Sequence, residues 1–325
     1  MKRIFSLFLM AIAVGGLMAQ TAVQAGYPAQ TWGIQWPLQP DEGQYAGFDF
    51  EQVKASSPGS AWLTQGHLYF FGADGTPQNL EEAFRCYCEA AALLRDEATS
   101  SATESDVPTN IAEGEAPEEM PEEEGAPEEN GSSAFADAVE LADGTMLTLP
   151  PATDAAYHLA LCHLYGLGTE RSESSAGYWL RLGTKLGETR CEMLEAIRDF
   201  RSGSYATAIE TFANLSTVND YATLWLCEGS LWGRGMVKNE RSAVERLQEL
   251  AARIEGYKQT DAETGSSDYW RNEDQLAYAY LRLADCYENG VGTKRKANIA
   301  KQLREQAAAI GAQSSSAYIR KWLKE

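Results

Sequence analysis

The sequence predicts an all-α fold, a solenoid of stacked helical hairpins interrupted by a disordered acidic segment. Two observations carry this. A pattern of alanine, small residue and paired glycine recurs four times along the 325 residues, and one tract between the first two copies is rich in Glu, Pro, Ala, Ser and Gly. A hydrophobic fraction of 44% gives the rest enough apolar surface to bury.

The N-terminus reads as an export signal. Met1, Lys2 and Arg3 precede an apolar run from Ile4 to Met18, and Val23-Gln24-Ala25 resembles a cleavage site. The run is shorter than the roughly 20 residues needed to cross a bilayer. Residues 1–25 are therefore expected to be a cleaved signal peptide, with no stable membrane insertion afterwards. Residues 26–60 are an extended capping segment, with Trp32 and Trp36 expected to lie across the first hairpin.

The net charge of −20, from 27 basic and 47 acidic residues, disfavours phosphate backbones and anionic lipid, so no nucleic-acid partner is expected. Thirteen acidic residues and no Lys or Arg lie between Asp96 and Glu129. Such a composition cannot offset its ordering entropy. Residues 95–150 therefore form a linker, with a short helix or hairpin expected near Ala134–Leu149. The tract lacks the spacing of an EF-hand calcium loop.

The repeat is read from four anchors: Tyr69, His163, Ser230 and Tyr287. Eight residues before each lies an alanine (Ala61, Ala155, Ala222, Ala279), and three before lies Gly66, Ala160, Cys227 or Ala284. Three residues after each comes Gly72, Gly166, Gly233 or Gly290. A second glycine follows as Gly168, Gly235 and Gly292, while the first copy is one residue longer and has Gly75. Small residues let helices approach closely, the anchor and Leu159, Leu226 and Leu283 supply packing, and the glycines turn the chain. One hairpin cannot bury its face alone, so copies stack. The units are residues 61–94 and a 151–325 solenoid with a C-terminal capping helix at 316–323. The gap between the second and third copies leaves room for another hairpin, with helices near 189–201 and 205–215.

Gly66-x-x-Tyr69-x-x-Gly72 and Ala284-x-x-Tyr287-x-x-Gly290-x-Gly292 resemble the Sel-1-like repeat, a relative of the tetratricopeptide repeat. The resemblance implies a right-handed α/α superhelix that binds a protein or peptide partner on a concave face lined by first helices. Transferring tetratricopeptide geometry places His67, Phe70, Phe71, Tyr157, Tyr165, Glu228, Trp232, Asp285 and Glu288 on that face. It implies an exported, non-catalytic, monomeric interaction module: an envelope scaffold, adaptor or immunity-like inhibitor, periplasmic or extracellular, in a bacterium. The alternative is a cell-wall or β-lactam hydrolase of the cysteine-rich Sel-1-like type.

Catalytic motifs are absent from the sequence. No serine has lysine three residues later, and Gly-x-Ser-x-Gly does not occur. His158 and His163 are five apart, which misplaces them for one helical face. His158 and Cys162 are four apart without a second such pair, which favours a buried structural role. No metal, cofactor or catalytic residue is expected. The six cysteines do not recur in paired slots, so bridging of each hairpin is not expected; equivalent slots argue against pairing Cys162 with Cys286.

Overall fold

The structure is a computed structural model that describes residues 32–37, 40, 42–101, 138–140, 146–148, 153–264 and 273–313. The export signal, most of the acidic tract and the expected 316–323 helix lie outside the described residues. The described chain is all-α apart from one pair of three-residue antiparallel strands, β1 (Ala138–Glu140) and β2 (Met146–Thr148). They fall within the segment where a short helix or hairpin is expected.

A short helix, α1 (Phe50–Ser56), is capped by Asp49, whose carboxylate accepts from the backbone N–H groups of Glu51 and Gln52. Ten more helices follow as five hairpins: α2 (Pro58–Phe71) with α3 (Leu80–Ser101), α4 (Asp154–Tyr165) with α5 (Glu173–Lys185), and α6 (Thr189–Ser202) with α7 (Tyr205–Leu215). The last two are α8 (Asp220–Trp232) with α9 (Glu240–Thr264), and α10 (Glu273–Asn289) with α11 (Ala297–Gln313). The hairpin expected between the second and third copies is thus present as α6 and α7. Two expected boundaries move: α3 continues past 94 to Ser101, and α9 runs into the segment read as an insertion.

The turns explain the glycines. Gly72, Gly166, Gly233 and Gly290 all have φ between +67° and +72°, the left-handed conformation in which a side chain is strained. In every copy the N–H four residues after the anchor bonds the carbonyl one residue before it. The pairs are Ala73 to Leu68, Leu167 to Cys162, Arg234 to Gly229 and Val291 to Cys286, at 2.9–3.2 Å. The anchor carbonyl in turn accepts from the N–H nine residues on: Ser172 to His163, Asn239 to Ser230, Lys296 to Tyr287. In the longer first copy the donor is ten residues on, Asn79 to Tyr69. Three of these donors also cap the second helix, for Asn79 Oδ1, Ser172 Oγ and Asn239 Oδ1 each accept from the N–H three residues later.

The anchor therefore works through its backbone. Tyr69, His163 and Tyr287 are only half-buried, which corrects the expectation that the anchor side chain supplies core packing. That is why His163 and Ser230 stand in the slot without loss of the turn. The core is built one helical turn earlier, four residues before the anchor, by Leu159, Leu226 and Leu283, all 5% exposed or less.

The second glycine sets the stacking. A Cβ on Gly168 would collide with the carbonyl of Leu80, on Gly235 with that of Tyr205, and on Gly292 with that of Glu240. Each of those is the first residue of the preceding hairpin's second helix. Gly75, with no hairpin before it, meets nothing within 4 Å.

Two compact units divide the chain: 42–162 with 167–170, and the remainder. The second hairpin is shared between them, with α4 as far as Cys162 in the first.

Candidate functional site

In the larger unit, helices α6, α8 and α10 present Arg201, Asn219, Trp225, Tyr278 and Arg282 to an extended segment, residues 32–37. The Arg201 guanidinium donates to the Trp32 carbonyl at 2.8 Å, and Trp225 Nε1 donates to the Gly33 carbonyl at 3.1 Å. Asn219 Nδ2 donates to the Gln35 side chain at 3.1 Å. Trp32 stands edge-on to Trp225 at 5.3 Å, lies 5.6 Å from Tyr278 and receives the Arg282 guanidinium over its ring at 5.1 Å. Trp36 packs on Tyr165 at 5.0 Å. Trp32, Ile34 and Trp36 are at most 4% exposed. Main-chain carbonyls are held by fixed donors and alternate side chains fill aromatic surroundings, which is how a helical face captures an extended peptide. Within the larger unit, Trp32 and Trp36 thus find their partners on α6, α8 and α10 and on Tyr165.

Burial holds the Tyr165 hydroxyl above its ordinary range, although Arg201 beside it acts in the opposite direction. Burial likewise lowers Arg201, and Tyr165 and Tyr278 oppose that. Tyr165, Arg171, Arg198 and Asp199 line an open polar groove, in which Arg198 pairs with Glu173 at 2.9 Å.

Beneath Trp32 lies a buried ionic network. Glu228 on α8 accepts from Arg282 Nε on α10 and, through its other oxygen, from Trp232 Nε1 at 3.2 Å. Arg282 Nη1 also donates to Asp285 at 3.0 Å, and Arg304 on α11 bridges Asp285, at 3.2 Å, and Glu288. Glu228, Arg282 and Asp285 are each at most 4% exposed. Burial pushes the Asp285 carboxyl up to about 6 against the pull of Arg282 and Arg304. Burial also works against the charge on Arg282, but Glu228 and Asp285 overcome it and raise its pKa. The network gathers four expected face residues: Glu228, Trp232, Asp285 and Glu288.

The remaining expected residues lie in the smaller unit or beside Trp36. His67, Phe70, Phe71 and Tyr157 are buried, and Tyr165 is half-buried. His67 on α2 meets Asp154, the first residue of α4, with Nε2 3.3 Å from Oδ2. His158, one turn along α4, has Nδ1 3.2 Å from Asp154 Oδ1 and 3.1 Å from the Asp154 carbonyl. Tyr45, in the segment before α1, places its hydroxyl 3.2 Å from His67 Nδ1. Phe70 stands perpendicular to the His158 ring at 5.6 Å, and Tyr87 lies 4.6 Å from it. These three ligating side chains are the one place among the described residues where such groups converge.

Asp154 and Arg282 were not singled out from the sequence, and His158 only as a buried structural residue, yet a signal exists in the repeat register. His67 and Glu228 both lie two residues before their anchors, whereas His158 and Arg282 both lie five before theirs. Each −2 side chain faces the −5 side chain of the following hairpin.

All six cysteines are thiols. Burial raises Cys86, Cys227 and Cys286 to about 12, and raises Cys162 as well. None of these four is thiolate at neutral pH, so none is a ready nucleophile.

Three segments, residues 66–93, 153–188 and 277–311, match the Sel1 repeat. The third hairpin copy, 222–252, is outside those matches but keeps the same glycine conformations and backbone bonds. The chain thus carries Sel1 repeats in an all-α stack of hairpins, a fold that typically serves as a scaffold for protein–protein interaction and is typically non-catalytic. No curated protein matches the chain. Among solved structures, a Sel1 repeat protein from Oxalobacter formigenes is similar at 17% identity and a TM-score of 0.47, covering 81% of this chain and 78% of that one. A protective antigen present in uropathogenic Escherichia coli strains, displaying an SLR fold, is similar at 16% identity and a TM-score of 0.36; 81% of this chain covers 49% of that one.

Proposed function

We propose that the protein is an exported, non-catalytic interaction module that holds an extended segment of a protein partner against its first helices. The observation that carries this reading is the capture of residues 32–37 by Arg201, Trp225 and Asn219. The surface is already built for an extended chain with aromatic side chains at alternate or wider spacing. A partner segment of that chemistry competes with the protein's own, or docks beside it through Tyr165, Trp232 and Glu288, which are not fully covered. An envelope scaffold, an adaptor and an immunity-like inhibitor all use this surface in the same way. Export rests on the residues 1–25 pattern, and fractionation of cells expressing the full chain tests it: the mature protein belongs in the periplasm or the medium, and retention in the cytoplasm rejects export.

The binding reading is tested in trans. In the full chain carrying Trp32→Ala and Trp36→Ala, a synthetic peptide of residues 30–38 should bind with micromolar affinity, and adding Trp225→Ala should abolish it. Absence of binding by the double variant would reject the peptide-holding face. Hydrolysis of cell-wall or β-lactam substrates is the competing reading. The buried thiols do not support it, and a fluorescent penicillin should leave the protein unlabelled.

A further inference from the structure

We propose that His67, Asp154 and His158 form a binding site for a single Zn²⁺ ion. Each residue offers one ligand atom, and these atoms lie within 4.8 Å of one another. Ligand atoms around tetrahedral zinc, with bonds of about 2.0–2.1 Å, stand roughly 3.3 Å apart. His67 Nε2 and Asp154 Oδ2 already have that separation, at 3.3 Å. Closing the set around an ion therefore needs side-chain movements on the order of an ångström.

The surroundings supply what a zinc site needs beyond its ligands. An imidazole that binds zinc through one nitrogen donates a hydrogen bond from the other, which fixes its tautomer and raises its basicity. His67 has that acceptor: its Nε2 faces Asp154 and its Nδ1 lies 3.2 Å from the Tyr45 hydroxyl, while His158 turns Nδ1 to the same carboxylate, 3.2 Å from Oδ1. His158 Nε2 is buried and makes no hydrogen bond, a costly state for a polar atom in a residue only 2% exposed. The ion compensates the Asp154 carboxylate, which is buried alongside the two rings.

Two imidazoles and a carboxylate suit a borderline divalent cation, and the fourth position falls to water or another oxygen. The positions of the three residues come from the repeat. α2 contributes His67 from the −2 slot, and α4 contributes Asp154 and His158 one turn apart on one face. Zinc at this point ties the first hairpin to the start of the second, so it should stabilise the folded chain.

The test uses the full chain, stripped with a chelator and titrated with Zn²⁺. About one equivalent should survive gel filtration and raise the melting temperature. His158→Gln and Asp154→Asn should abolish that equivalent, while Tyr45→Phe should weaken it by ~10-fold. Co²⁺ in place of zinc should give the intense visible bands of a tetrahedral site. If the ligand variants fail to fold, X-ray absorption of the zinc-loaded wild type still decides: imidazole nitrogen and oxygen neighbours support the site, and sulfur or carboxylate oxygen alone overturns it. Unchanged stoichiometry in folded His158→Gln would also overturn the proposal, because the zinc would then sit elsewhere in the chain.

Discussion

The His67–His158 contact and the Glu228–Arg282 contact occupy the same two slots of the repeat, yet they solve burial differently. In the larger unit, opposite charges meet and every member of the pair finds a counter-charge: Glu228 with Arg282, and Asp285 with Arg282 and Arg304. In the smaller unit, two imidazoles converge on one carboxylate, and His158 Nε2 is left without a hydrogen bond. The backbone of the repeat fixes where a pair of side chains meets. The residues in those slots decide whether the meeting is a closed ionic lock or an open ligand set.

The largest expected effect comes from opening the lock. Arg282→Ala leaves Glu228 as an uncompensated buried charge, leaves Asp285 with Arg304 alone, and also removes the cation beneath Trp32. It should cost about 3–5 kcal/mol in chemical denaturation. Replacing Glu228 and Arg282 together by methionine should cost less than Arg282→Ala alone, since two apolar side chains impose no desolvation penalty. A double variant as damaged as the single one would mean that the pair contributes by more than mutual compensation.

A smaller effect separates stacking from turn geometry. Gly75 and Gly292 have φ of +81° and +64°, so alanine is strained at both. Only Gly292 meets the carbonyl of a preceding helix, that of Glu240. Gly75→Ala should cost roughly 1 kcal/mol and Gly292→Ala roughly 2–3 kcal/mol or more. Equal losses in a melting experiment would remove the close approach as the reason for the second glycine.

These positions also show what the sequence made legible. The spacing around Tyr69, His163, Ser230 and Tyr287 locates the turns because the glycine conformations and main-chain bonds depend on register alone. The α6–α7 hairpin is likewise readable from its small and aromatic residues. Contacts between hairpins are another matter. Arg282 is an ordinary helical arginine until its −5 slot is set against Glu228 in the −2 slot of the copy before it. His158 pairs with Asp154, four residues earlier and at the very start of its helix, rather than with Cys162, four residues later. The capture of Trp32 needs Arg201, Trp225 and Tyr278, more than 160 residues away in the chain, and no local pattern encodes that separation.

The ionic lock has a pH signature. Asp285 titrates near 6 in the fold against an ordinary value of 3.8 because burial disfavours its charge. The folded chain therefore holds a proton there between those values that the unfolded chain has released. Its contribution to stability is fully present below about pH 3.8 and is lost as pH rises through 6. The melting temperature of the wild type relative to Asp285→Asn should be higher at pH 4.5 than at pH 7.5, and a difference constant across that range would exclude the shift. The smallest effect should be on thiol chemistry: Cys227 and Cys286, held near 12, should react with a disulfide reagent only as fast as the fold opens, and rapid labelling of the native protein would contradict their burial.

The claim on which the binding account depends is that residues 32–37 lie against α6, α8 and α10. A photo-crosslinking amino acid in place of Trp32, in the full chain, reports this directly by peptide mapping. Crosslinks should fall on peptides containing Trp225, Tyr278 or Arg282, each of which contacts Trp32 or its neighbour Gly33. Crosslinks confined to residues 61–94, with the segment lying across the first hairpin, would contradict the peptide-holding face.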